Sequence, residues 1–155
     1  MVTVTLDQVR NVVESIPDPE IPVLSIGDLG IVRDVADRDG RLVVTITPTY
    51  SGCPAMDLIR EQVEAAVADL GFDDAVVETV HAPAWTTDWM SDEAKARLEA
   101  YGIAPPGRVG TPERIRCPRC GSDQTDVISA FGSTACKALW RCTACLEPFD
   151  PFKVH

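Results

Sequence analysis

The chain has 155 residues, 45% of them hydrophobic, with 14 Lys or Arg against 24 Asp or Glu and a net charge of −10. That length holds one ordinary domain, or one small domain with a stapled appendage, and its short apolar runs exclude a membrane-spanning helix. Residues 1–110 carry eight basic against nineteen acidic side chains and the remainder six against five, so most of the chain repels a polyanion and nucleic acid is not an expected partner.

In chain order, Thr5 and Gln8 form a capping box, and Leu6, Val9, Val13 and Ile16 line one face of a helix that Pro17 ends. Asp18-Pro19-Glu20-Ile21-Pro22 is rigid and irregular. Its carboxylates have three options: solvent, a cap on the next element, or a metal. Residues 31–36 and 41–47 are β-rich runs joined through Asp39-Gly40, a strong hairpin signal. Leu42, Val44 and Ile46 alternate with Val43, Thr45 and Thr47, which predicts one apolar sheet face. After Thr49-Tyr50-Ser51-Gly52-Cys53 comes Pro54, suited to a first helical position, and a helix with Met56, Ile59, Val63, Val67 and Leu70 on one face, ending at Gly71.

Cys53 therefore sits at a helix N-terminus, where unpaired N–H groups and the helix dipole favour thiolate over thiol. Nucleophile and soft metal ligand are both open, as is a small buried residue, and Asp57 one turn on opposes an anion. A third strand, residues 75–80, precedes His81 and a segment with Trp85 and Trp89, placed to cover the sheet or the Cys53 loop. Ser91 then caps a last helix ending by Gly102. The order helix, hairpin, helix, strand, helix predicts a small α/β sandwich over residues 1–103. Residues 104–112, dense in Pro and Gly, read as a linker.

The expected second domain, residues 113–155, is dominated by two cysteine pairs, Cys117-Pro118-Arg119-Cys120 and Cys142-Thr143-Ala144-Cys145. Two residues between cysteines let a turn aim both sulfurs at one ion, and the 21 residues between pairs leave room for a hairpin that brings the second turn to the same ion. Gly121 supports the first turn with a positive φ. The reading is a zinc ribbon with a coordinatively closed, structural site. Iron also suits four thiolates. Residues 127–131 and 137–140 are the expected ribbon strands. Cys136 lies outside both pairs as a spare or partly buried thiol, with metal exchange as its alternative, and the two Phe of the tail either close the ribbon core or form an exposed docking segment. Met1-Val2-Thr3 lacks the regions of a signal peptide, so a cytoplasmic location is expected, and in that compartment six cysteines serve as ligands or reactive thiols rather than disulfides.

Asp18-Pro19-Glu20, Asp28-Leu29-Gly30-Ile31-Val32, Thr47-Pro48-Thr49-Tyr50-Ser51-Gly52-Cys53-Pro54 and Trp85-Thr86 together resemble the iron–sulfur assembly domain of SUF-associated proteins and cytosolic iron–sulfur targeting factors, over roughly residues 5–102. Joined to a four-cysteine ribbon with Cys145-Leu146-Glu147-Pro148-Phe149-Asp150, the whole resembles the family of D-type subunits of bacterial phenylacetyl-CoA epoxidase systems.

That resemblance implies an accessory maturation role in aerobic phenylacetate degradation, without catalysis by the chain itself. The implied partners are the di-iron oxygenase and the flavin and iron–sulfur reductase components, with a homodimer as a further option. Cys53 matches the cysteine implicated in cluster handling and would hold iron or a cluster transiently, with Asp18, Glu20, Thr49 and Gly52 as neighbouring motif positions. Two other classes stay open. A thiol–disulfide oxidoreductase would use Cys117 and Cys120, and a nucleic-acid-binding or adaptor ribbon would use a small basic face of Arg114, Arg116, Arg119 and Arg141.

Overall fold

The computed structural model describes residues 3–155; Met1 and Val2, on which the reading of the chain start partly rests, lie outside the described residues. By contacts the chain forms two compact units, dividing after Trp85.

In the first unit, helix α1 spans Leu6–Glu14. Its capping box is present: the Thr5 hydroxyl accepts the Gln8 N–H at 3.2 Å and the Gln8 side chain accepts the Thr5 N–H at 2.8 Å, an arrangement that stabilises a helix start by about 1 kcal/mol. Val9 and Val13 are fully buried. The chain then doubles back beside the helix end, with Ile26 N–H donating to the Ile16 carbonyl and Gly27 N–H to that of Glu14. Gly27 is needed there. A Cβ at this position would lie 2.6 Å from both Cβ and the carbonyl oxygen of Glu14.

Strands β1 (Val32–Arg38) and β2 (Arg41–Ile46) form the predicted hairpin. Asp39 and Gly40 both adopt positive φ, 56° and 81°, as a primed turn requires. Helix α2 (Ala55–Asp69) carries the chain back so that β3 (Val76–Thr79) pairs parallel with β2, giving the order β1-β2-β3. The central strand is buried on both faces from Leu42 to Ile46, where its alternation predicts one apolar face. Val43 sits as deep as Leu42, and Thr45 and Thr47 are buried with them. Ile59, Val63 and Val67 give α2 its core stripe, and Arg60 ties the helix to β3 by donating to the Val77 carbonyl and the Thr79 hydroxyl, both at 2.8 Å. Pro54 stands at the N-cap, one residue earlier than predicted.

The second unit holds a short 3-10 turn at Thr87–Trp89, helix α3 (Asp92–Tyr101) and strands β4 (Ile103–Ala104), β5 (Thr125–Ser129), β6 (Leu139–Cys142) and β7 (Pro148–Pro151). Ser91 caps α3, and Gly102 closes it in the left-handed region. The sheet order is β4-β7-β6-β5, with β4 parallel to β7 and the other pairs antiparallel. The fold is thus a mixed α/β unit with a three-stranded sheet, followed by a small sheet carrying a cysteine cluster.

Three features differ from the expected layout. Ala104, placed at the start of a linker, is 2% exposed and lies in β4 against β7, so the chain re-enters structure where composition predicts loop. Helix α3 belongs with this second unit. The first ribbon strand starts two residues early and stops at Ser129, because the chain must loop tightly to reach Lys137: Gly132 N–H donates to the Lys137 carbonyl at 2.7 Å. The tail is docked, with Phe149 and Phe152 buried in the ribbon.

Candidate metal centre and the Cys53 loop

Both cysteine pairs sit on tight turns built alike. In the first, Gly121 N–H donates to the Cys117 carbonyl and Cys117 N–H to that of Ser122; in the second, Cys142 N–H donates to the Glu147 carbonyl. The residue following each pair has positive φ, 75° for Gly121 and 67° for Leu146. Strand β6 delivers Cys142 from the far side of the hairpin, and Thr143 fastens the second turn to the first arm through the Gln124 carbonyl, which accepts its N–H at 2.8 Å and its hydroxyl at 3.0 Å.

All four sulfurs lie within 4.8 Å of one another. The Cys117–Cys145 and Cys120–Cys142 separations are 3.7 and 3.6 Å. Tetrahedral coordination with metal–sulfur bonds of about 2.3 Å sets the edges at about 3.8 Å, whereas a disulfide needs about 2.05 Å. The donor set therefore fits one tetrahedral ion. Cys117 and Cys142 are buried with Ala104 and Phe149, while Cys145 is half-buried and Cys120 exposed. Ionisation is uneven between Cys142 and Cys145. The Cys145 N–H, 3.5 Å from the Cys142 sulfur, draws that thiol down to about 7. Cys145 itself, although the Glu147 N–H lowers it, is pushed up to about 12 by burial and the neighbouring sulfurs. A divalent ion is what lets four adjacent thiols ionise together.

Cys136 is not part of this centre. It is 3% exposed with Thr134 Oγ1 2.9 Å from its sulfur, and its carbonyl accepts the Lys153 N–H. Among the described residues the four ribbon cysteines form the one group of His, Cys, Asp or Glu side chains close enough to share an ion.

The first unit presents a different kind of site. Cys53 is half-buried ahead of α2, in a loop held by its N–H to the Tyr50 carbonyl, with Gly52 at a φ of 76°. Asp18 does not lie in solvent. It is 6% exposed, and its Oδ1 accepts the N–H groups of Glu20 and Ile21 at 2.9 and 2.8 Å, shaping the Pro-rich turn. Burial raises its pKa against those two bonds. At Cys53 the expected preference for thiolate is reversed: burial pushes the thiol up, and the Glu20 and Asp18 carboxylates add to it, outweighing the Ala55 N–H and the Tyr50 side chain that favour the anion. Thr49, Tyr50 and Ser51 line a hollow of about 100 Å³ with Thr47, His81 and Trp85. Trp85 is locked by its indole N–H, donated to the Leu29 carbonyl at 2.5 Å, which joins two of the motif segments. Tyr50 is the neighbour of Cys53 that the sequence pattern does not single out; a tyrosine in a loop carries no local sign that its hydroxyl turns toward a thiol three residues on.

Comparison with known proteins matches both halves. Residues 6–80 match the family described as iron-sulfur cluster assembly protein, and residues 104–153 match the PaaD zinc beta ribbon domain. A protein of Escherichia coli (strain K12), named as a putative D-type subunit of 1,2-phenylacetyl-CoA epoxidase, is 48% identical over 99% of this chain and 97% of its own length. The Fe-S protein maturation auxiliary factor YitW of Bacillus subtilis is 40% identical over 59% of this chain and 91% of its own. A crystal structure of a domain of unknown function, DUF59, from Bacillus anthracis superposes with a TM-score of 0.53 at 32% identity, covering 59% of this chain and 89% of that one. With an iron–sulfur assembly domain ahead of a four-cysteine ribbon, and similarity to the Escherichia coli protein over nearly all of both chains, the chain belongs to the D-type family of phenylacetyl-CoA epoxidase subunits.

Proposed function

We propose that this chain is a non-catalytic maturation factor within a phenylacetyl-CoA epoxidase system, assisting assembly of an iron or iron–sulfur centre in the oxygenase or reductase component. The observation that carries the reading is Cys53, set ahead of α2 under the influence of Asp18 and Glu20. A thiol held protonated by burial and two carboxylates is a poor resting nucleophile, yet the same carboxylates attract a cation. When ferrous iron approaches, the thiol loses its proton to solvent and the sulfur binds the metal, so the negative surroundings that oppose thiolate alone become favourable. Clusters ordinarily take about four cysteine ligands. One thiolate then needs the remainder from a client, a second copy or a small thiol, and such shared ligation suits transfer better than storage.

The ribbon takes the other role in this reading. Cys117, Cys120, Cys142 and Cys145 hold a structural zinc, leaving no coordination position for water or substrate. Sulfur contacts of 3.7 and 3.6 Å run between the pairs, which a Cys-x-x-Cys redox couple does not require. Cys136 is assigned to packing. Support from relatives is of two kinds: similarity to a phenylacetyl-CoA epoxidase component and to Fe-S protein maturation auxiliary factors.

The test is a Cys53→Ser chain expressed with the oxygenase and reductase components, each then purified and its iron and labile sulfide counted. One component should lose most of its metal relative to wild type while the ribbon keeps its zinc. Full metallation of both would refute the reading.

A further inference from the structure

Residues 105–115 wall a groove in the second unit that the metal chemistry does not use. A hollow of about 230 Å³ lies between Pro105, Pro106 and Phe152, and one of about 410 Å³ lies against Trp140, Thr125 and Asp123; Arg114 and Ile115 border both. The wall is stiff. Besides its prolines, Val109 N–H donates to Asp88 at 3.2 Å, and Thr111 donates both its N–H and its hydroxyl to the Arg108 carbonyl.

The charge along this wall runs against the rest of the chain. Arg108 and Arg114 border the hollows, and Arg116 and Arg119 follow on the same segment outside their linings; all four are exposed, and among the described residues none of their guanidiniums has an ion-pair or hydrogen-bond partner. Arg141 on the same ribbon is, by contrast, within 3.7 Å of Asp126. In a chain with 24 carboxylate side chains, four unpaired forks spaced along one segment are complementary to carboxylates brought from outside, which arginine binds bidentately. We propose that this groove docks an acidic, extended peptide segment of a partner protein, its carboxylates on Arg108 and Arg114 and an apolar side chain against the part-exposed Trp140. Two open hollows that share Glu113, Arg114 and Ile115 as lining suit an extended strand better than a compact ligand. Glu113 and Asp123 also border the groove, and four thiolates around a divalent ion leave a local charge of about −2, so a continuous phosphate backbone is disfavoured while spaced carboxylates are accommodated. This site stands independently of Cys53.

Full-length, zinc-loaded protein titrated with a fluorescent peptide alternating Glu with Leu and Phe tests it. The peptide should bind, shift the Trp140 indole resonance, and lose roughly tenfold in affinity in an Arg108→Glu/Arg114→Glu variant, with Cys53→Ser unaffected. No binding, an unmoved Trp140, or an equal loss in Arg141→Glu would overturn the proposal, the last by reducing the effect to overall charge. Tighter binding of a single-stranded oligonucleotide or of coenzyme A than of the peptide would overturn it as well.

Discussion

A carboxylate buried beside a thiol is an arrangement that folding alone does not favour. Asp18 contributes to the fold through one oxygen, which accepts two backbone N–H groups, and asparagine can supply that acceptor without the charge. Because its folded pKa is raised above 3.8, the folded state holds the proton more tightly than the unfolded chain, so the stabilising contribution is complete below that value and lost as pH rises through the folded one. Asp18→Asn should therefore be as stable as wild type or more so at neutral pH, by up to about 1 kcal/mol, with the difference vanishing in acid. Urea titrations at two pH values measure it. Cys53 follows the same sign from its ordinary value of 9.0: its iodoacetamide alkylation should lag behind that of a free thiol at pH 8, keep climbing with pH after the free thiol has levelled off, and quicken in Asp18→Asn. The sequence reading of Cys53 as thiolate-prone rests on the helix N-terminus, which does act through Ala55. That local signal carries neither the burial nor the two carboxylates that raise the thiol; Asp18 and Glu20 come from a loop more than thirty positions upstream, and only the family resemblance places them beside Cys53. Leu146 is a further residue-level case. Its φ of 67° is strained for a leucine and its side chain is 81% exposed, so Leu146→Asn should raise stability by about 0.5–1 kcal/mol in thermal unfolding of the metal-loaded protein.

Elements are legible in the sequence wherever their signal is local. The capping box of α1, the Asp39-Gly40 turn, the Ser91 cap and the Gly121 knuckle each lie within a few residues and can be read from those residues alone. Pairings between distant segments cannot. Strand β4 is two residues long, too short for any periodicity, and exists because β7, more than forty positions later, offers it a partner. The two-sided burial of β2 likewise depends on what distant segments pack over each sheet face, which alternation within the strand cannot reveal. Gly27 tests how closely these elements approach. A methyl group there meets Glu14 at 2.6 Å on both backbone and side chain, and the N–H of Gly27 itself is already committed to the Glu14 carbonyl, so the contact cannot relax without opening the turn. Gly27→Ala should cost more than about 2 kcal/mol in urea unfolding, far more than an alanine placed at an exposed glycine.

At the scale of the whole chain, the two units owe their stability to different things. The first has a continuous apolar core, with Val9, Val13, Val44, Ile59 and Val63 at most 1% exposed, and no cysteine cluster among its described residues. The ribbon's core cluster includes two of the cysteines, Cys117 and Cys142, beside Ala104 and Phe149. A core of that size does not hold four mutually repelling sulfurs together without an ion, and metal binding there is folding free energy. Stripping the metal with a chelator should thus unfold the ribbon and spare the α/β unit. In amide spectra of the stripped protein, Val44 and Ile59 should keep their dispersed resonances while Cys142 and Phe149 collapse toward random-coil positions, and one equivalent of zinc should restore them. Each single ribbon Cys→Ser variant should reproduce the stripped spectrum, and Cys136→Ser should not, because that sulfur packs outside the cluster. Simultaneous loss of both sets of resonances would mean that the units fold as one. Retention of both would mean that the ion is not what holds the ribbon, and the assignment of its four sulfurs to a structural site would fail with it.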